Sequence, residues 1–405
     1  MTLHGLYNVL RSLLRFTVFV IAFTLCVDSS SAYEKTKVLG KDRIFAFLYL
    51  PKNTDVNTLH SANLIHSKPK EWKYWNDKGV IPCQGKTWHD LLRNPINKAV
   101  EILATIDYGG NPEPTVCIDE FGFDFGGQTD HKTATILRMT KYKMPNLHLA
   151  VWQMRGPIAP VLADAYKDVV DLVMVEAYVG SKEDYWSIIT QVKAAQLQGL
   201  MHKTVAGLGL GLGGNTGEDW ATTKKELEQQ ILFLRLIAPE SPGVAFFAAG
   251  ADKGEPGLLN YADELCEKFD QIPTDGSGLP EDVIELYKTF YKKRREPAIV
   301  TSNFWAEPDR SEEDPGKLVQ PKTMHVLLMN LGDEGATDVK VRLRNPKDLG
   351  GDVFAEGKVN VPGKSVAIAV LPVIAKWNIW KRWEIEVDAG KNEVLIYPQK
   401  KPYPL

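Results

Sequence analysis

The segment Thr115 to Gly127, TVCIDEFGFDFGG, changes character within a few residues. A β-branched apolar run ends in Asp119 and Glu120, then breaks into glycines and aromatics with Asp124 among them. Further along, VDLVMVEAYVG, Val170 to Gly180, ends the same way, with Glu176 and Tyr178 near the strand end. Acids placed where a buried strand meets a loop stand at the mouth of a parallel sheet, where α/β enzymes keep their chemistry. Two strand-end carboxylates can hydrolyse a glycosidic bond. One attacks the anomeric carbon or stabilises positive charge there, and the other, kept protonated, donates to the leaving oxygen. On this reading Asp119 is the nucleophile and Glu176 the acid/base. Side chains alternate along a strand, so Asp119 and Glu120 cannot both face inward unless the strand has already broken. Asp119 shares a side with Thr115 and Cys117, and Glu120 with Val116 and Ile118. Parity leaves open which of the two faces the site, and Glu120 stays a candidate.

The elements that must position these groups are legible as apolar runs alternating with helical patterns. The strand candidates are Ile44–Leu50, Ala62–His66, Gly79–Gln84, Thr115–Asp119, Leu147–Gln153, Leu172–Tyr178, Thr204–Leu210 and Val244–Ala249. They are near-continuous apolar runs, as expected for parallel strands covered on both faces. Leu227, Ile231 and Leu234 fall on one helix face, and Thr223 with Glu226 makes a capping box at its start. Ser181 with Asp184 does the same for a helix carrying Trp186 and Ile189. No helical segment is evident between the second and third strands. The alternation predicts a (β/α)8 TIM barrel over residues 33–270. Residues 271–296 read as a linker followed by a helix, Pro280 to Arg295. Residues 297–405 turn to short alternating runs: Thr323–Met329, Asp338–Leu343, Val366–Leu371, Trp377–Val387 and Glu393–Tyr397. They predict a C-terminal all-β immunoglobulin-like sandwich. Trp377, Ile379, Trp383, Ile385 and Val387 share the parity that faces its core, while Trp380 points the other way.

Reading the barrel's strand ends in order yields the candidate substrate contacts: Tyr49, His66, Trp88, Asp124, Trp152, Gln153, Tyr178, Trp220 and Asp252, with Gln84 and His89 in the same loops. Carboxylates cleave, amides and histidines bond hydroxyls, and aromatic faces stack on sugar rings. Each residue also has a plainer reading: Asp119 or Glu120 as a buried ion pair, Asp124 as a turn cap, Trp152 and Tyr178 as core, the histidines as structure. Glu176 is the hardest to dismiss, because burying a carboxylate without purpose is costly. The glycines of GLGLGLGG, Gly207 to Gly214, meet a dinucleotide spacing through Gly209, Gly211 and Gly214 but run on into Asn215-Thr216-Gly217 instead of opening a helix. Close packing at a strand end explains them better. No nucleotide, cofactor or metal is implied, and no His, Cys and acid cluster has metal-ligand spacing.

The chain has 405 residues, 44% hydrophobic and 10% aromatic, long enough for a barrel and a smaller domain. A net charge of −3 with acids and bases mixed argues against a nucleic-acid partner. Residues 1–32 read as a signal peptide: Arg11 and Arg15, then the apolar run Phe16 to Val27, then Ser30-Ser31-Ala32. The expectation is a secreted, periplasmic or extracellular protein, touching a membrane only if this segment is uncleaved. Beyond it lie three cysteines, Cys83, Cys117 and Cys266, an odd number that reads as buried small hydrophobes.

The chain resembles barrel glycoside hydrolases over residues 43 to 252. The VDLVMVEAYVG strand with Tyr178 is similar to the sixth strand of chitinase-like family 18 enzymes, and TVAGLGLG and PGVAFFAAG to their last two. CIDEFGFD departs from that family's DxxDxDxE signature. An acid on the fourth strand paired with one on the sixth is similar instead to α-galactosidase-like retaining barrels and to endo-acting fucanases. That resemblance implies Asp119 as nucleophile and Glu176 as acid/base, with a polysaccharide or oligosaccharide as substrate, and the sandwich of residues 297–405 resembles the accessory domains such enzymes carry. Three rivals stand beside this reading. One is a non-catalytic carbohydrate-binding barrel. The second is a metal-dependent hydrolase using Asp119, Glu120 and a histidine such as His66. The third is an adhesion protein whose sandwich binds.

Overall fold

The computed structural model describes residues 37–52, 54–111, 113–121, 127–154, 158–179, 185–212, 220–291, 297–307, 321–346, 350–375, 384–388 and 394–398. The predicted leader, the Ser181–Asp184 capping box and Trp377, Trp380 and Trp383 lie outside them.

All eight predicted barrel strands form: β1 (Ile44–Leu48), β2 (Leu64–His66), β3 (Ile81–Thr87), β4 (Thr115–Phe121), β5 (His148–Gln153), β6 (Leu172–Glu176), β7 (Thr204–Gly211) and β8 (Gly243–Gly250). Each pairs in parallel with the next, and β8 closes on β1, with Ile44 opposite Gly243. The helices are α1 (Trp72–Asp77), α2 (Trp88–Leu92), α3 (Ile96–Ala104), α4 (Gly127–Lys143), α5 (Pro160–Val169), α6 (Tyr185–Leu197), α7 (Lys224–Ile237), α8 (Leu258–Glu267) and α9 (Glu281–Tyr291). The predicted absence of a helix between β2 and β3 is corrected. α1 fills that gap, burying Trp72 and Trp75 three residues apart on one face. It is under two turns long, too short for helical periodicity to stand out in the sequence.

Alternation along the strands sorts the apolar residues into two layers. Ile44, Ala46, Leu48, Leu64, Cys83, Cys117, Ala150, Trp152, Leu172, Met174, Val205 and Ala245 fill the cylinder. Val116, Ile118, Val151, Val173, Val175, Leu208 and Phe246 face outward beneath the helices. The α7 capping box forms as read: Glu226 N–H donates to Thr223 Oγ1 at 3.2 Å, and Thr223 N–H to Glu226 Oε2 at 3.1 Å. Leu227, Ile231 and Leu234 of α7 are wholly buried against the barrel. Among the described residues, Cys83, Cys117 and Cys266 are buried and free.

The C-terminal part is a sandwich of antiparallel strands. A three-stranded sheet has the order β13 (Ser365–Pro372), β10 (Thr323–Asn330), β9 (Ile299–Glu307). A four-stranded sheet has the order β12 (Val353–Val361), β11 (Ala336–Arg344), β14 (Glu384–Asp388), β15 (Val394–Pro398). β9 and β12 are additions to the predicted strands. The half-buried pattern of β12, with Gly357 and Lys358 at its centre, carries little strand signal. Ile385 and Val387 enter the core as expected. Ala298, Val300, Met329 and Leu331 of the sandwich share one apolar cluster with the barrel's helix layer, so the sandwich braces the barrel. α9 also belongs to the barrel side: Val283 and Leu286 are buried there, and Gln229 donates to Asp282 at 2.5 Å.

Candidate active site

The inward alternation predicts what stands at the mouth. One step beyond Leu64, Cys83, Cys117, Met174, Val205 and Ala245, toward the C-terminal strand ends, lie His66, Gly85, Asp119, Glu176, Gly207 and Phe247. Asp119 therefore stands on the inner side of β4, continuing Cys117, while Glu120 follows Val116 and Ile118. The register with β5 slips between Ile118 and Phe121, and the side chain of Glu120 lies outside the described residues.

Tyr49 reaches the mouth by a different route. Leu48 already faces inward, so the next residue would ordinarily turn out. Instead Tyr49 adopts a left-handed backbone, φ 55°, which is costly for a residue with a bulky side chain. The kink returns its ring to the interior. Its hydroxyl donates to Asp119 Oδ2 at 2.9 Å, and its ring lies 4.8 Å from both His66 and Phe247. Burial, then the neighbouring Asp119 carboxylate, holds the phenol protonated far above its ordinary range. His66 is half-buried, and its burial pulls the imidazole below 6.5, which favours the neutral ring.

Four rings face this group from β5 to β8. Tyr178 is 6.2 Å from Trp152, 5.0 Å from Trp220 and 6.0 Å from Phe247, and Phe247 is 5.2 Å from Trp220. Burial raises the Tyr178 hydroxyl well above its usual value, and the Glu176 and Asp119 carboxylates push it further. Two acids from non-adjacent strands thus bear on one phenol. Cys117, directly beneath Asp119 on β4, is likewise held as a neutral thiol by burial, then by Cys83 and Asp119.

Glycines make room for the rings. A methyl group on Gly85 would lie 2.7 Å from His66 Nε2. One on Gly207 would meet the Trp152 indole at 2.6 Å, and one on Gly209 the Trp220 indole at 2.3 Å. At Gly211, φ 80°, it would strike the Gly250 carbonyl oxygen. The glycine-rich β7 is thus a surface on which two indoles lie.

The mouth brings together Tyr49, His66, Asp119, Trp152, Glu176, Tyr178 and Trp220 from the predicted set. Phe247 is an addition, one member of a Phe-Phe pair whose inward member only the phase from Ala245 identifies. Gln153 is corrected: it points outward and accepts from the Tyr166 hydroxyl of α5 at 2.6 Å, because it follows the inward Trp152 by one residue. Trp88 is corrected too: it is buried in the helix layer at the start of α2. Asp252 is exposed on the turn Ala251–Lys253 just past β8. Asp124 and the side chain of His89 lie outside the described residues. Among the described residues, no group of three or more His, Cys, Asp or Glu is placed to hold a metal ion.

No family model matches the chain, and no curated protein matches it. Among solved structures it is similar to active domain 2 of a thermostable chitinase from Pyrococcus furiosus, at 12% identity and a TM-score of 0.42, covering 57% of this chain and 95% of that one. The catalytic domain of a family GH18 chitinase from the fern Peteris ryukyuensis is similar at 12% identity and a TM-score of 0.40, covering 56% and 99%. The spore cortex-lytic enzyme of Bacillus megaterium follows at 11% and 0.38, covering 57% and 76%. Likeness this distant carries no argument about chemistry. The barrel rests on this chain's own strand pairing, and the site on its own side chains.

Proposed function

We propose that the protein is a glycoside hydrolase acting on a polysaccharide or oligosaccharide by a two-carboxylate mechanism. The observation that carries the reading is that Asp119 of β4 and Glu176 of β6 both occupy inward positions at the mouth and both bear on the Tyr178 hydroxyl. Asp119, fixed by the Tyr49 hydroxyl, is the nucleophile or charge stabiliser, since a donated hydrogen bond favours the ionised form. Glu176 is the acid/base. The rings of Tyr178, Trp220 and Phe247 offer the apolar faces on which pyranose rings stack, and the neutral His66 can bond a hydroxyl. A retaining course needs the two carboxyl groups about 5–5.5 Å apart, and an inverting one about 6.5–9.5 Å. We favour retention. A leader in residues 1–32 would place the enzyme outside the cytoplasm, which N-terminal sequencing of the mature protein checks.

The test is a polysaccharide panel incubated with the purified chain, with product sizes and anomeric configuration read by NMR. At least one polymer should be cleaved, with the configuration kept, and Glu176→Gln should abolish cleavage. Undiminished cleavage by Glu176→Gln would remove the proposal.

A further inference from the structure

β7 presents glycine at each position that continues the inward phase of Val205, namely Gly207, Gly209 and Gly211, and Gly207 lies beside a candidate catalytic acid. In the strand register Gly207 is the partner of Glu176 on β6 and of Ala245 on β8. The row across these three strands is therefore one carboxylate beside two positions with almost no side chain. The space is taken by Trp152, which belongs to β5, on the far side of β6. Its strand partner on β6 is Met174, one inward step below Glu176. The six-membered ring of its indole nonetheless reaches the inner face of Gly207, with Cζ2 and Cη2 within 2.7 Å of where a β-carbon would sit. To do so the indole must cross the inner face of β6, arriving at the strand level of Glu176. Trp152 is 1% exposed, and its indole N–H is turned toward the Tyr178 hydroxyl.

We propose that Gly207 is a positioning residue for Glu176: by carrying no side chain it lets the Trp152 indole lie along that carboxyl, and the apolar contact keeps the carboxyl protonated as an acid catalyst requires. The inference rests on the two-carboxylate reading and divides its roles. An apolar ring against a carboxyl withdraws water from the charged form and disfavours it. Among the described residues, the titratable groups on the surrounding elements are Tyr178 just past β6, Asp119 from β4, Tyr49 from β1 and His66 from β2, with the Cys83 and Cys117 thiols one inward step below. The β5, β7 and β8 neighbours, Trp152, Gly207, Ala245 and Phe247, bring none. Asp119, as a like charge, acts in the same direction as the indole, and Tyr49 draws Asp119 toward ionisation. The two acids are thus driven apart by different neighbours, a phenol for one and an indole for the other.

The test reads the Glu176 carboxyl in the unliganded full chain by infrared difference titration, wild type against Glu176→Gln. Two variants are compared: Gly207→Ala, whose methyl displaces the indole, and Trp152→Phe, whose shorter ring cannot span β6. Near-UV circular dichroism first establishes native packing in each. In either folded variant the acid dissociation constant of Glu176 rises about tenfold. The basic limb of the pH–rate profile moves down with it wherever a cleaved polymer has been found. An unmoved Glu176 titration in a folded variant overturns the inference even if hydrolysis is intact. A shifted titration without hydrolysis of any polymer sustains the role of Gly207 and removes the hydrolase reading instead.

Discussion

The two ends of the barrel use the same residue types in opposite ways. At the base, where the strands begin, charged groups meet complementary partners. Arg43 pairs with Asp270 and donates to the Ser241 carbonyl at 3.0 Å, and both Arg43 and Arg235 lie over the Phe269 ring. Asp171 accepts from Leu149 N–H at 2.9 Å and from Lys141 at 3.2 Å, with His148 3.4 Å away. Asp263 of α8 accepts from three successive backbone N–H groups, those of His60, Ser61 and Ala62, at 2.7–3.2 Å. Lys203 donates to three carbonyls at the end of α5. At the mouth, Asp119 accepts a hydrogen bond from a neutral phenol, and the Glu176 carboxyl bears on another phenol. A carboxylate answered by cations and backbone donors stabilises the fold. One set among phenols and indoles keeps its charge adjustable, which is what acid–base work requires.

The contrast can be broken most sharply by mutating one acid at each end. Asp119→Asn and Glu176→Gln should each lower kcat on a cleaved polymer at least about 100-fold. Their thermal midpoints should stay at or above that of the wild type, since Asp119→Asn removes a charge from an apolar setting and Glu176→Gln replaces a protonated acid with a neutral amide of the same shape. Asp263→Ala should do the reverse. It strands three backbone donors and should cost about 3 kcal/mol by urea unfolding, while activity per folded molecule is kept. Equal loss of activity in this variant would erase the distinction between the ends.

Two pH effects sharpen it further. Despite burial, which acts the other way, the Asp171 carboxyl lies below its ordinary value because of His148, the Leu149 N–H and Lys141. Its contribution is therefore present above 3.8 and lost as pH falls through the lower folded value. Asp171→Asn should flatten the acid end of the stability curve, and an unchanged slope there would count against the base as a stabilising network. His66 is smaller in effect. Burial holds its folded value below 6.5, so protonation favours the unfolded chain and stability declines as pH drops below 6.5. His66→Gln should remove that decline, measured as the thermal midpoint between neutral and mildly acidic pH.

Much of this molecule follows from local pattern. The eight barrel strands, the α7 capping box and the carboxylates at two strand ends are written in runs and spacings of a few residues. Backbone periodicity and capping chemistry act over that same range. The helix α1 and the strands β9 and β12 are too short or too mixed for such patterns. Other features depend on residues distant in the chain. The inward phase of β4, shared with Cys117 and the rest of the cylinder's filling, puts Asp119 at the mouth. The left-handed turn of Tyr49 is tolerated only where its hydroxyl meets Asp119, seventy residues on. Gly207 only opens a glycine run whose Gly209, Gly211 and Gly214 read as a weak nucleotide motif in the chain, and it becomes the seat of an indole only once β5 and β7 stand two strands apart in a closed cylinder. Which side chains meet across a barrel is fixed by strand order and stagger, and no short stretch of sequence contains either.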